Sequence, residues 1–208
     1  QQVELESMTL KHIAIQMDDP ASINIEKDST FVLALEAQKR GYALSYYSPD
    51  TLALKGGIVS AQCRVITFQR DVNEPFACGS LETVNLSTFD IILMRNDFND
   101  AENYNAMTHI LGHLEDQVLV LNDPAGVRES PEKILITHYP NLAPPTLITR
   151  NLEDIRDFQS EHESLIIKPL NGFGGLDVYH IKAGDDNLQA VYDMFCRLHS
   201  EPFIVQKY

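Results

Sequence analysis

The chain has 208 residues, with 30 acidic against 16 basic side chains, a net charge of −14 and 44% hydrophobic residues. That apolar share supports a globular core rather than disorder. The charge, with Lys and Arg scattered along the chain in runs of no more than two, excludes general nucleic-acid binding and attraction to an anionic membrane.

Cys63, Cys78 and Cys196 are too few and too widely spaced for a disulfide framework or for zinc pairs. No apolar run approaches the roughly 18–20 residues of a membrane span, and the N-terminus lacks a basic segment followed by an apolar one. The sequon Asn85-Leu86-Ser87 therefore has no secretory setting, and the chain reads as a cytoplasmic globular protein. Residues 1–7 precede Met8 and read as an expression scar outside the fold.

Residues 11–17 (KHIAIQM) read as an apolar strand stopped by Asp18-Asp19-Pro20. Asp28-Ser29 opens a helix whose apolar side holds Phe31, Leu33, Ala34, Leu35 and Ala37, and Gly41 ends it. Residues 42–47 form the next strand, 51–70 a set of small strands around a Gly56-Gly57 turn, and 90–95 a buried strand ending in charge. A helix over 104–114 and a strand over 118–121 follow. Strands alternating with helices predict an α/β fold with a parallel, doubly wound sheet over residues 8–123. Ligands sit at the carboxyl ends of strands in such sheets, where Asp18, Asp19, Arg95, Asn96, Asp97 and Asn122 fall. Polar loops would put polar residues there as well.

The texture changes after Pro124. Residues 132–138 look helical, Pro144-Pro145 breaks the chain, 146–149 restart a strand, and Asn151 caps a helix through Phe158. Strands over 165–169, 177–182 and 203–208, with a helix over 187–199, complete a second, α+β module over 124–208.

Between two of those strands lies Asn171-Gly172-Phe173-Gly174-Gly175. It lacks the Gly-Lys-Ser/Thr ending of a Walker loop, and a strand follows where a dinucleotide fingerprint needs a helix. Such a turn is either an ordinary hairpin or a nest of N–H groups folded over phosphates. Lys168 closes an apolar strand just before it, where lysine is poorly placed as a solvated surface group. A cation there suits the charge of a nucleoside triphosphate. Lys133, beside Glu132 on a helix, reads on its own as a surface lysine. His109 and His113 have a metal-chelating i, i+4 spacing, but Ile110 stands where zinc proteases carry Glu, so both read as face residues of a packed helix. No Ser/His/Asp or Cys/His set can be assigned by spacing.

More specific are Ile23-Asn24-Ile25, Asp28-Ser29-Thr30-Phe31 and Glu36-Ala37-Gln38-Lys39-Arg40-Gly41, which resemble the N-terminal segment of the bacterial glutathione synthetase family, in the ATP-grasp superfamily. Ile92-Leu93-Met94-Arg95-Asn96-Asp97, Asn122-x-Pro124 with Arg128, and Glu132-Lys133 resemble it too. Pro145-Thr146-Leu147-Ile148-Thr149-Arg150-Asn151 and Ile167-Lys168-Pro169-Leu170-Asn171-Gly172-Phe173-Gly174-Gly175 continue the likeness, which runs in order from Ile13 to Tyr208. The resemblance implies a pre-ATP-grasp substrate domain over 8–123 and the first, incomplete part of an ATP-grasp domain over 124–208. It implies an ATP-dependent ligase that joins γ-glutamylcysteine to glycine through an acyl phosphate, or another carboxylate-amine ligase of the superfamily.

By the same resemblance, Lys133 and Lys168 contact ATP, and Gly172, Gly174 and Gly175 close over its phosphates. Gln206, Lys207 and Tyr208 provide the hinge against which adenine lies. Asp18, Asn24, Ser29 and Arg95 are the candidate substrate contacts, and no catalytic residue is assigned. Mg²⁺ is expected with ATP, its ligands lying beyond residue 208 and none in this chain. The expected partners are small molecules and further copies of the chain, with no nucleic acid and no membrane. Two departures stand out. Phe98-Asn99-Asp100-Ala101 replaces the family's Pro-Pro-Phe-Asp run, leaving the peptide substrate open. The chain also ends at Tyr208, before the second half of an ATP-grasp domain. A truncated or split ligase, or a nucleotide-binding module inactive on its own, is therefore expected, with its last strand an unpaired apolar edge.

Overall fold

A computed structural model describes residues 11–96, 101–172 and 174–208. Two compact units divide between Glu129 and Ser130.

The first unit is built on β1 (His12–Gln16), whose residues are buried on both faces, as expected of a strand covered by helices on either side. β1 pairs in parallel with β2 (Ala43–Tyr47) and β7 (Ile91–Met94), and β7 pairs in parallel with β8 (Leu119–Leu121). Ile13, Ile15 and Met17 pack with Phe31 and Ala34 of α1 (Ser29–Lys39). Ala14 faces the other way, into a cluster with Tyr47, Ile92, Leu111 and Leu114 on the side of α2 (Ala101–Gly112). Asp28 fixes where α1 starts, because its carboxylate accepts the N–H groups of Thr30 and Phe31 that no helical carbonyl can reach. Gly41, at φ +82°, lets the chain leave the helix into β2.

The parallel centre is as expected, but the sheet as a whole is mixed. β4 (Ile58–Phe68) runs antiparallel to β2 and forms a hairpin with β3 (Ala53–Lys55) around Gly56 and Gly57, both at positive φ. It also pairs with β5 (Phe76–Cys78) and β6 (Glu82–Asn85). Its two halves bury opposite faces: Val59, Ala61 and Cys63 join one core cluster, Ile66 and Phe68 the other. An antiparallel strand can do this because each of its faces need be covered only locally. His109 and His113 are exposed; Leu111 and Leu114, which lie between and beside them, take the core positions. α3 (Pro124–Glu129) packs against α2, which is why the first unit extends through Glu129.

The second unit holds a four-stranded antiparallel sheet in the order β11 (Tyr179–Ile181), β10 (Leu165–Pro169), β12 (Phe203–Lys207), β9 (Thr146–Thr149). Ile155 of α5 (Leu152–His162) and Leu188 and Phe195 of α6 (Leu188–Leu198) cover one face, against Leu165, Ile167, Phe203 and Val205. Asn151 caps α5 through the Glu153 N–H. A short helix, α4 (Glu132–Leu135), precedes β9. The last strand is not an edge. β12 is paired on both sides, to β10 and β9, and Phe203, Ile204 and Val205 are fully buried. Pairing with β9 supplies the main-chain partners that the sequence alone left unassigned. Among the described residues no helix is long and apolar enough to cross a membrane.

Candidate functional site

The site in the second unit starts from the alternation of β10. Leu165, Ile167 and Pro169 point into the core, so Ile166 and Lys168 point to the opposite face of the sheet. Ile166 lies opposite Gln206 on one side and His180 on the other, and Lys168 lies opposite Ile204. Directly opposed residues share a face, so Lys168, Gln206 and His180 all project from the one that α5 and α6 leave uncovered.

A pocket of about 200 Å³ opens at the Lys168 end of that face, lined by Glu132, Lys133, Lys168, Gly172, Gly174 and Gly175 among others. Burial holds the Lys168 ammonium below its ordinary pKa, repulsion from Lys133 adds to this, and Glu132 pulls the other way. Lys133 is not the plain surface lysine its local sequence suggests. Its side chain is only 15% exposed, and its ammonium donates to the Glu132 carboxylate and to the Gly172 carbonyl. Gly172 is required by space: a Cβ there would lie 2.5 Å from Pro169 Cγ. Gly174 and Gly175 are required by conformation, at φ +61° and +77°. Without a Cβ, both can hold this left-handed backbone and leave the turn's main chain open to a ligand. The turn is thus a hairpin between antiparallel strands, and it also lines a pocket holding two ammonium groups.

Gln206, Lys207 and Tyr208 lie toward the other end of β12. Gln206 is buried and donates to Thr146 Oγ1 at 2.9 Å. Lys207 is opposite Leu165, so its side chain leaves the sheet on the face away from Lys168. Tyr208 stacks on His180 at 3.9 Å between ring centroids and so returns to the Lys168 face.

The first unit has its own pocket, of about 460 Å³, at the carboxyl ends of β1 and β7. It is lined by Asp18, Asp19, Asp28, Thr30 and Arg95, with Met17, Ser22 and Ile23. Arg95 donates to Ser29 Oγ at 2.6 Å and Thr30 Oγ1 at 3.2 Å, which fixes its guanidinium at the start of α1. Asn24 is exposed and lies outside the lining; its carboxamide oxygen accepts the Glu26 N–H within its own loop. Asp97 and residues 98–100, where the sequence departs from the family run, fall outside the described residues, as do Phe173 and residues 1–7. Asp28 and Thr30 join the candidates through the structure; their signal in the sequence is Asp-Ser-Thr at a helix start following a strand end. Among the described residues no group of three or more His, Cys, Asp or Glu could hold a metal ion.

A family model for the N-terminal domain of prokaryotic glutathione synthetase matches residues 11–128, and one for the ATP-grasp domain of the same enzymes matches residues 132–208. The chain is 43% identical over 201 residues to a glutathione synthetase of Brucella melitensis, covering 97% of this chain and 64% of that protein. It is 41% identical over 197 residues to that of Bradyrhizobium diazoefficiens, covering 95% and 63%. The chain thus spans less than two thirds of these relatives. Similar folds include D-cycloserine synthetase DcsG, with a TM-score of 0.61 at 16% identity over 95% of this chain and 59% of that one. A RimK-domain ATP-grasp protein of Sphaerobacter thermophilus gives a TM-score of 0.57 at 19% identity, covering 95% and 64%. These likenesses show the ATP-grasp fold. By both domain matches, the chain belongs to the prokaryotic glutathione synthetase family.

Proposed function

We propose that this chain binds ATP and γ-glutamylcysteine for the ATP-dependent synthesis of glutathione. The observation that carries the reading is the convergence of Lys133, Lys168, Gly172, Gly174 and Gly175 on one pocket, within the segment that matches the ATP-grasp domain. The cysteinyl carboxylate of the dipeptide attacks the γ-phosphorus and ADP leaves. The glycine amine then attacks the acyl carbon, loses a proton, and inorganic phosphate departs. Such a transfer depends on positioning and on offsetting negative charge, not on a protein nucleophile. Lys133 and Lys168 supply that charge, and the glycine turn supplies N–H donors and excludes water from an acyl phosphate. Gln206 and Tyr208 serve the adenine end of the same face, with Lys207 contributing main chain only. Mg²⁺ would accompany ATP and offset part of the negative charge of its phosphates.

The first-unit pocket suits the γ-glutamyl end of the dipeptide. That end is a zwitterion, and the pocket offers one guanidinium, Arg95, against the carboxylates of Asp18, Asp19 and Asp28. Arg95 takes the α-carboxylate, the aspartates the α-ammonium, and Ser29 holds Arg95.

The test uses the full-length protein. ADP release should require both γ-glutamylcysteine and glycine. Lys168→Ala should lower kcat/KM for ATP by about 10- to 100-fold, the loss expected for one hydrogen bond to a charged group. Equal turnover of other peptides or amines would replace glutathione synthesis with a different carboxylate-amine ligation. Unchanged ATP kinetics in Lys168→Ala would remove the pocket from the reaction.

A further inference from the structure

The glycine turn has two arms, Asn171 leaving β10 and Asp177 entering β11. Both reach the same short segment between α6 and β12. Asn171 Nδ2 donates to Glu201 Oε1 at 3.5 Å. The same Glu201 oxygen lies 3.8 Å from His199 Nδ1, and His199 Nε2 lies 3.9 Å from Asp177 Oδ2. One imidazole thus stands between two carboxylates, with its side chain only 19% exposed, and its Nε2 is buried without a closer hydrogen-bond partner. Asp177 itself sits at φ +54°, a left-handed conformation that Asp tolerates but that is held only when its surroundings fix it.

The segment that carries His199 and Glu201 is pinned in turn. Arg150 Nη1 donates to the carbonyls of His199 at 2.7 Å and Glu201 at 3.2 Å, and Nη2 donates to that of Cys196 at 3.2 Å. The Arg150 guanidinium also lies over the Phe203 ring at 5.7 Å, at the start of the buried strand β12. The segment after α6, fixed by Arg150, therefore lies against both arms of the turn. Lys133 touches the turn at the Gly172 carbonyl, from the pocket itself. A bound triphosphate competes for that ammonium, whereas nothing in the pocket competes for His199 or Glu201.

We propose that His199 and Glu201 are positioning residues for ATP: by bridging Asn171 and Asp177 they fix the spacing of the two arms, and so the curve of Gly172, Gly174 and Gly175 over the phosphates. The proposal rests on the reading of that pocket as the phosphate site. Its test is a measurement that does not need the ligation reaction. In the full-length protein without nucleotide, hydrogen exchange over residues 171–177 should be faster in Asp177→Asn, Glu201→Gln and His199→Gln, with β10, α6 and β12 unchanged. The KM for ATP should rise about two- to fivefold, the loss of one partly exposed polar contact, with kcat held. Unchanged exchange in the turn would overturn the proposal. Faster exchange across β10, α6 and β12 in all three variants would also overturn it, because the cluster would then be packing rather than positioning. If glutathione is not the product, the function reading fails, while the exchange result and the affinity for ADP still decide this one.

Discussion

The surroundings of Lys168 disfavour its charged form. Its ammonium is partly out of water and beside a second ammonium, so its pKa lies below the ordinary 10.5. Between that lowered value and 10.5 the unfolded chain binds more protons than the folded one, so stability rises with pH across the window and the penalty is full below it. Phosphate oxygens reverse the balance by favouring the ammonium. ATP affinity should therefore fall as pH climbs through the lowered pKa, earlier than for a solvated lysine, with proton uptake on binding. Titration calorimetry of ADP and ATP across alkaline pH checks this. Lys168→Arg, which stays charged throughout, should bind without that slope. A slope that persists in the arginine variant would assign the titration to another group.

At the scale of elements, Asp28 serves two purposes that substitution can separate. It caps α1 and it lines the first-unit pocket. Asp28→Ala should cost about 1 kcal/mol of stability, the usual value of an N-cap. Asp28→Asn keeps a cap of equal quality and should stay within a few tenths of a kcal/mol, since Asn and Asp rank together at this position. Both variants remove a carboxylate from the pocket, so both should raise the KM for γ-glutamylcysteine, whatever happens to the urea midpoint. A normal KM in Asp28→Asn would leave this carboxylate a structural role alone. The cap itself was legible in the sequence, as were β1, α1, β10 and the glycine turn, because each has a strong local signature: an apolar run, an Asp before a helical stripe, or paired glycines. β5 and β6 were not legible, being three and four residues long and largely exposed. The pairing of β12 with β9 was not legible either, because partners far apart in the chain leave no local pattern. The side of the sheet that Lys207 faces follows from the register of β12 with β10, and the His199–Glu201 cluster forms only once those two strands are paired. The two lysines become candidates differently: Lys168 by its place at the end of an apolar strand, Lys133 by resemblance alone, since its contact with the Gly172 carbonyl leaves no local pattern.

At the scale of the whole molecule, the described residues of each unit have a core and a pocket of their own: two apolar clusters and the aspartate–arginine pocket in the first, one cluster and the lysine–glycine pocket in the second. A ligand stabilises only the states that retain its site, by about 2.7 kcal/mol at a hundredfold excess over Kd. If the units open separately, ADP should slow hydrogen exchange in the most protected amides of β10, β12 and α6 while those of β1, β2 and β7 keep their rates. γ-Glutamylcysteine should do the reverse. The two experiments discriminate because protection reports the opening free energy of each cooperative unit. Equal protection of both sheets by either ligand would mean that the units unfold as one body, and each pocket would then be stabilised by occupancy of the other. Protection confined to one sheet would make the binding of ATP and of the dipeptide independent in energy.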